Sequence, residues 1–188
     1  LRSIQILAEA FPNALVGAGT VTTAQQVRDI KAAGGQIIIS PHLDDNVVCE
    51  AVNLGLISMP GVATPTEAFR AIALGAHGLK LFPAEMISPA VVKAMRAVLP
   101  QNAKLIPVGG IGIHNMTEYR KSGASGCGLG SALLDTVLAH MTGKTITVEV
   151  EQANTQAIDF YRKKGFAHHK TFDDEGYSID VLTLQPAS

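Results

Sequence analysis

In the stretch HGLKLFPAE a single lysine, Lys80, interrupts an apolar run. In a strand, successive side chains point to opposite faces. If Leu79 and Leu81 face covering helices, Lys80 faces the other way, into the interior of the sheet. Burial destabilises an ammonium and lowers its pKa, and the neutral amine is the form that attacks a carbonyl to make a Schiff base. The alternative is a lysine at a strand end whose head reaches solvent along an apolar stem. Three glycine motifs suggest a second chemistry: GAGTV, PVGGIG and GLGS. Glycine lets backbone N–H groups approach an anion, and a following helix start adds its dipole. Taken singly, each is also an ordinary tight turn.

The bulk composition narrows what these groups can act on. The 188 residues carry a formal net charge of -1, with Lys and Arg dispersed rather than clustered, so nothing marks a nucleic-acid partner. Aromatic residues make up only 5% and Trp is absent, which argues against stacking platforms. Cys49 and Cys127 lack CxxC spacing, and His42, His114, His140, His168 and His169 lack metal-ligand spacing. Neither a disulfide framework nor a metal site is expected, and the histidines read as solvated or structural. No apolar run has membrane-spanning length and no signal peptide is evident, so a cytoplasmic location is the expectation.

The elements that must position Lys80 and the glycines recur along the chain. Six short apolar or β-branched runs, ALVGAGTV, QIIISP, LISMPGV, GLKLFPA, KLIPVGG and GCGLG, follow one another at intervals of about 20 to 27 residues. Helical segments lie between them. TTAQQVRDIKAAGG puts Val27, Ile30 and Ala33 on one face and stops at Gly34 and Gly35. TPTEAFRAIALG opens on Thr64, Pro65 and Glu67, the signature of a capping box, and SPAVVKAMRAVLP repeats the device with Ser88 and Pro89. Strands apolar on both faces, alternating with helices, predict an α/β protein with a parallel sheet, most simply a (β/α) barrel. In such a barrel, functional groups gather at the strand ends. Thr20, Ser40, Pro41, Pro60, Lys80, Gly109, Gly110, Gly130 and Ser131 all fall there. A GG pair after the penultimate run and GxGS after the last match the usual barrel phosphate position.

With these motifs in this order, the chain from about residue 1 to 134 resembles the class I aldolases that cleave 2-keto-3-deoxy-6-phosphogluconate or its galactonate epimer, the latter branch more closely. The resemblance implies retro-aldol cleavage to pyruvate and glyceraldehyde 3-phosphate through a Schiff base on Lys80, with no cofactor. It implies phosphate contacts from Gly109, Gly110, Gly130 and Ser131, and a keto-acid end lined by Thr20, Ser40, Pro41 and Pro60. A homo-oligomer is also implied. Family members carry two strand–helix units ahead of GAGTV, with a glutamate acid/base and an arginine on the second. This chain begins in the helix after that second strand, so impaired turnover and an incomplete TIM barrel of six recognisable strands are expected. Glu67 and Glu85 are the carboxylates that could replace the glutamate, or they are helix-start residues favoured by the dipole.

From Gly126 onward a second resemblance overlaps the first. The loop GCGLGS, then TITVEVEQANTQAIDFYRKKGF and the runs FAHHKTF and SIDVLTL, resemble the C-terminal part of a GNAT-type N-acetyltransferase. That resemblance implies acetyl-CoA on Gly126, Gly128 and Gly130, Asn154 near the pantetheine arm and Tyr161 as general acid. The expected division is therefore 1–141, an aldolase-like barrel fragment, and 142–188, a C-terminal β-α-β-β segment, so that the chain reads as a chimera. Two placements of that segment stay open: its strands extend the parallel sheet by right-handed crossovers, or the last two runs close as an antiparallel hairpin around DDEG.

Overall fold

The structure, a computed structural model, describes residues 1–129, 145–174 and 177–185. It divides into two compact units, Leu1–Ala132 and Leu133–Ser188. The first unit runs α1 (Arg2–Ala10), β1 (Gly17–Ala18), α2 (Ala24–Ala32), β2 (Ile37–Ile39), α3 (Asp45–Asn53), β3 (Ile57–Met59), β4 (Gly61–Val62), α4 (Pro65–Ala73), β5 (Leu79–Leu81), α5 (Pro89–Val98), β6 (Leu105–Pro107) and α6 (Met116–Lys121). The second runs β7 (Ile146–Glu151), α7 (Thr155–Lys163), β8 (Ala167–Asp174) and β9 (Tyr177–Leu184).

In the first unit every strand pairing is parallel and follows chain order: β1 with β2, β2 with β3, β4 with β5, β5 with β6. β3 and β4 are one extended stretch divided at Pro60, which has no N–H to give to a ladder. The first part pairs back to β2 and the second forward to β5. Beyond β6, Val108 makes a parallel bridge to Gly128.

The helices start and stop where local chemistry dictates. Thr23 and Thr64 each close a capping box, with Gln26 and Glu67 as the reciprocal partners. The Thr23–Gln26 box adds to the sequence expectation, in which α2 is marked by its apolar face and its terminal glycines. The Ser88 hydroxyl makes no capping bond, so the start of α5 rests on Pro89, whose fixed φ suits the first helical turn. Gly34 and Gly75 end α2 and α4 at φ 87° and 88°, a left-handed turn that a side chain would strain.

Packing follows the period of two along the strands. Ile38 is buried among Val27, Ile30, Val47 and Ala51, while Leu79, Leu81 and Leu105 are buried with Ala68, Ala71, Val92 and Met95. Their strand neighbours Ile37, Ile39, Lys80 and Ile106, on the opposite face, are only half-buried. α1 contributes no buried residue, and Ile6, Leu7 and Phe11 are exposed.

The second unit is an antiparallel sheet in the order β7–β9–β8. Among the described residues, its strands pair with one another, so extension of the parallel sheet by TITVEV and FAHHKTF does not occur. The antiparallel arrangement wins because β8 and β9, eight residues each, are close enough in sequence to pair from Asp174 with Tyr177 back to Ala167 with Thr183, with one bulge at His169. Residues 175 and 176, within the expected DDEG turn, lie outside the described residues. Val150, Ile158, Phe166 and Leu182 form its core. His168 turns toward β9, with Nε2 3.0 Å from Thr171 Oγ1, and that hydroxyl donates at 2.7 Å to the buried Asp180 carboxylate. No helix among the described residues is long and apolar enough to cross a membrane, and no group of three or more metal-ligating side chains occurs among them.

The Thr64–Glu67 box gives a stability test. Ala63 N and Thr64 N donate to Glu67 at 2.9 Å each, and Thr64 Oγ1 donates at 2.8 Å. The Ala63 amide above all, helped by Thr64 and opposed by partial burial, holds the Glu67 carboxyl below the usual carboxylate range. A carboxyl lowered on folding stabilises the fold above its unfolded pKa, and that stability is lost as pH falls through the folded one. Thr64→Ala should cost about 1 kcal/mol in denaturant unfolding at neutral pH. The difference from the parent protein should narrow as Glu67 protonates in acid.

Candidate active site

Lys80 sits at the centre of β5, in register with Gly61 of β4 on one side and Ile106 of β6 on the other. Its amide donates to Pro60 O at 2.9 Å, which fixes the backbone that carries it. Leu79 and Leu81 are buried toward the helices, so the Lys80 side chain takes the opposite face. There its ammonium is half-buried, and burial pushes its pKa below the ordinary lysine value. Nζ lies 4.1 Å from the centroid of the Phe82 ring, two residues on along the same face.

The other strand-end residues line up along neighbouring strands. Ser40, buried at the end of β2, donates its amide to Met59 O at 3.2 Å, and Val21, just after Thr20, donates to Ile39 O at the same distance. The carbonyl of Pro41 lies so near Gly61 that a Cβ there would stand 2.2 Å from it, so only glycine lets β4 come this close. Pro60 bonds directly to Lys80. Thr20 is exposed, with φ 59°, a left-handed conformation that is costly for a β-branched residue. Strain of this kind is held in place by the surrounding fold and clusters at functional positions.

Gly109 and Gly110 follow the end of β6 with φ 108° and 59°. The Glu85 carboxylate lies against both: a Cβ on Gly109 would be 2.5 Å from Oε2, and one on Gly110 3.2 Å from Oε1. Glu85 stands in the turn between β5 and α5 rather than at a helix start, which corrects that part of the sequence reading. The turn is anchored by Ala84, whose amide donates to Val108 O at 2.9 Å and whose carbonyl accepts from the buried Tyr119 hydroxyl at 3.0 Å. Glu67, the other candidate acid/base, is held by the capping box.

The residues of the second resemblance have local partners. Gly128 donates its amide to Pro107 O at 2.8 Å and extends the parallel sheet by its bridge to Val108, while a Cβ on Gly126 would stand 3.4 Å from the Ile106 side chain. The Asn154 side chain accepts from Ala157 N at 3.1 Å and caps α7. Tyr161 packs edge-on against Phe160 and Phe166, with centroids 5.2 and 5.5 Å apart. Gly130, common to both expected sites, and Ser131 lie outside the described residues.

A lysine on the inner face of a parallel sheet, flanked by proline and glycine at the strand ends, invites comparison with known lysine enzymes. The KDPG and KHG aldolase family matches residues 1–148. The chain belongs to this aldolase family. It is 43% identical over 133 residues to a probable 2-dehydro-3-deoxy-6-phosphogalactonate aldolase of Rhizobium meliloti, covering 70% of this chain and 63% of the relative. It is 37% identical to the 2-dehydro-3-deoxy-6-phosphogalactonate aldolase of Escherichia coli, over 81% of this chain and 72% of that one. The chain thus spans less than two thirds of the first relative's length. Its fold is similar to a KDPG aldolase from Legionella pneumophila, solved with pyruvate captured as a covalent carbinolamine, at 29% identity and a TM-score of 0.64 over 72% of this chain and 68% of that one. The aldolase match runs through Gly126–Ser131 to residue 148, so this stretch falls within it.

Two groups escaped the sequence reading. Phe82 reads as one more apolar strand residue, although its i, i+2 spacing from Lys80 places both on one face. The approach of Glu85 to Gly109 and Gly110 joins positions 24 and 25 residues apart and has no local signature. For Thr20, relief of backbone strain reverses the usual penalty of glycine: Thr20→Gly should raise the thermal midpoint of the first unit, by an amount worth about 1 kcal/mol. A lowered midpoint would show that the left-handed turn carries no strain.

Proposed function

We propose that this chain supplies the lysine of a Schiff-base aldolase acting on phosphorylated 2-keto-3-deoxy sugar acids, with pyruvate as the fragment held on Lys80. The observation that carries the reading is the half-buried Lys80 ammonium on the inner face of β5, its pKa lowered by burial, in a chain of this aldolase family. The carbinolamine of the Legionella pneumophila relative supports it, because that species precedes an iminium. In the proposed reaction the free amine adds to the keto carbon, and water leaves with the carbonyl oxygen. The hydroxyl on the carbon to be released gives up its proton to water as its oxygen forms the aldehyde carbonyl, the carbon–carbon bond breaks into the iminium, and glyceraldehyde 3-phosphate leaves an enamine behind. Protonation of the resulting enamine and hydrolysis return pyruvate and the lysine.

In this reading Thr20, Ser40, Pro41 and Pro60 border the keto-acid end, and Gly109, Gly110, Gly130 and Ser131 take the phosphate. The six-strand incomplete barrel, the division at residues 141 and 142, a homo-oligomer and a cytoplasmic location belong to the same proposal. Glu67 does not serve as the proton-transfer group, since its carboxylate is engaged by Ala63 and Thr64. The lysine step is what this chain's described residues support.

The acetyl-CoA reading has one observation in its favour: β7, α7, β8 and β9 follow the strand–helix–strand-pair order that the resemblance implies. Against it stand the local engagements of Gly128, Asn154 and Tyr161.

Borohydride reduction in the presence of pyruvate, followed by peptide mass spectrometry, should give a single adduct on Lys80. Adduct formation should rise with pH through a midpoint below that of an ordinary lysine, because the neutral amine is populated above the lowered pKa. Lys80→Met should abolish it. Folded protein that gives no adduct at any pH would overturn the reading. Thermal stabilisation by coenzyme A should be absent, and a shift that Asn154→Ala removes would favour the acetyltransferase reading instead.

A further inference from the structure

Among the described residues Lys80 makes no ion pair and no hydrogen bond through Nζ, and the group recorded against its ammonium is an aromatic ring. The strands on either side place Gly61, Val62, Leu105, Ile106 and Pro107 beside β5, none of them ionisable. On adjoining segments, Glu85 lies against Gly109 and Gly110, and His77 Nδ1 accepts from Ser58 N at 3.2 Å. What does face the ammonium is the ring of Phe82, 4.1 Å from Nζ to its centroid. An aromatic face carries negative quadrupole density and attracts a cation at this range, more strongly when water is excluded.

We propose that Phe82 is the positioning residue for the reactive nitrogen: its ring face holds the Lys80 ammonium on the inner side of the sheet and then holds the iminium cation that replaces it. The second half rests on the aldolase reading above. In that reaction the ammonium and the carbonyl compound give iminium and water, so one positive charge enters and one remains, on the same nitrogen. A ring fixed on the strand can therefore serve both states without reorganising. A carboxylate would compensate the charge more strongly, but it would also hold the proton on the amine and oppose attack. The quadrupole is a weaker counterpart that lets the neutral amine form.

The test separates the ring's electrostatics from its bulk. The pH dependence of Lys80 acylation by acetic anhydride, read by peptide mass spectrometry, reports the proton affinity of Nζ without needing any aldolase activity. Phe82→Leu should lower the midpoint by about 0.5–1 pH unit, roughly a 3- to 10-fold loss of proton affinity, while Phe82→Tyr, which keeps the π face, should leave it in place. If Phe82→Leu does not fold, Phe82→Met provides the same comparison. A midpoint unmoved in the aliphatic variant, or moved as far in Phe82→Tyr, would overturn the proposal. In parallel, pyruvate trapping compared at equal fractions of free amine should fall 3- to 10-fold in Phe82→Leu, and equal trapping would overturn the iminium half. Parent protein that titrates as expected but never traps pyruvate would instead strike at the aldolase reading and remove the iminium half with it, leaving the ammonium half decided by the titration.

Discussion

Burial of Leu79 and Leu81 against the helices leaves Lys80 only the opposite face of β5, and the arrangement of the candidate site follows from that alternation. The two leucines belong to the same cluster as Ala68 and Ala71 of α4 and Val92 and Met95 of α5. A shift of one residue in register would exchange the faces, exposing two leucines and driving an ammonium into that cluster. The apolar cost of such a slip is several kcal/mol by area alone, before the charge is counted. The same core that stabilises the unit thus sets the orientation of the Lys80 side chain.

Parallel pairing in chain order then brings the strand ends together. Each strand delivers one short segment to the same edge: Thr20 after β1, Ser40 and Pro41 after β2, Pro60 between β3 and β4, Gly109 and Gly110 after β6. Backbone contact, more than side-chain contact, joins them, as in the Lys80 amide on Pro60 O and the Pro41 carbonyl against Gly61. Prolines and glycines dominate here for opposite reasons. Proline ends a ladder because it has no N–H, and glycine permits an approach that a Cβ would block. The Glu85 carboxylate lies against Gly109 and Gly110, so the field at this end of the sheet is set by more than glycine amides.

The second unit is organised by a different rule. β8 and β9 pair antiparallel over their length, and β7 joins the outer side of β9. Local hairpin pairing closes a short loop, whereas a parallel addition to another sheet requires a crossover and a larger loss of chain entropy. Its core is built from Val150, Ile158, Phe166 and Leu182.

The sequence alone determined much of this. Apolar runs separated by capped helices specify parallel strands, because strand and helix periodicities are local. The placing of Lys80 on the face of its strand opposite Leu79 and Leu81 was legible, since a charge in an apolar strand is visible without coordinates. The Thr64–Glu67 box was equally legible, its parts lying three residues apart. The tertiary structure decided what depends on contacts between distant segments or on backbone conformation. It placed Glu85 against Gly109 and Gly110, put Thr20 in the left-handed region, left Ser88 without a capping bond and paired β7 with β9 instead of with the parallel sheet. It also set the Phe82 ring beneath Lys80: spacing puts the two on one face, but only side-chain packing determines that the ring turns its face to the nitrogen.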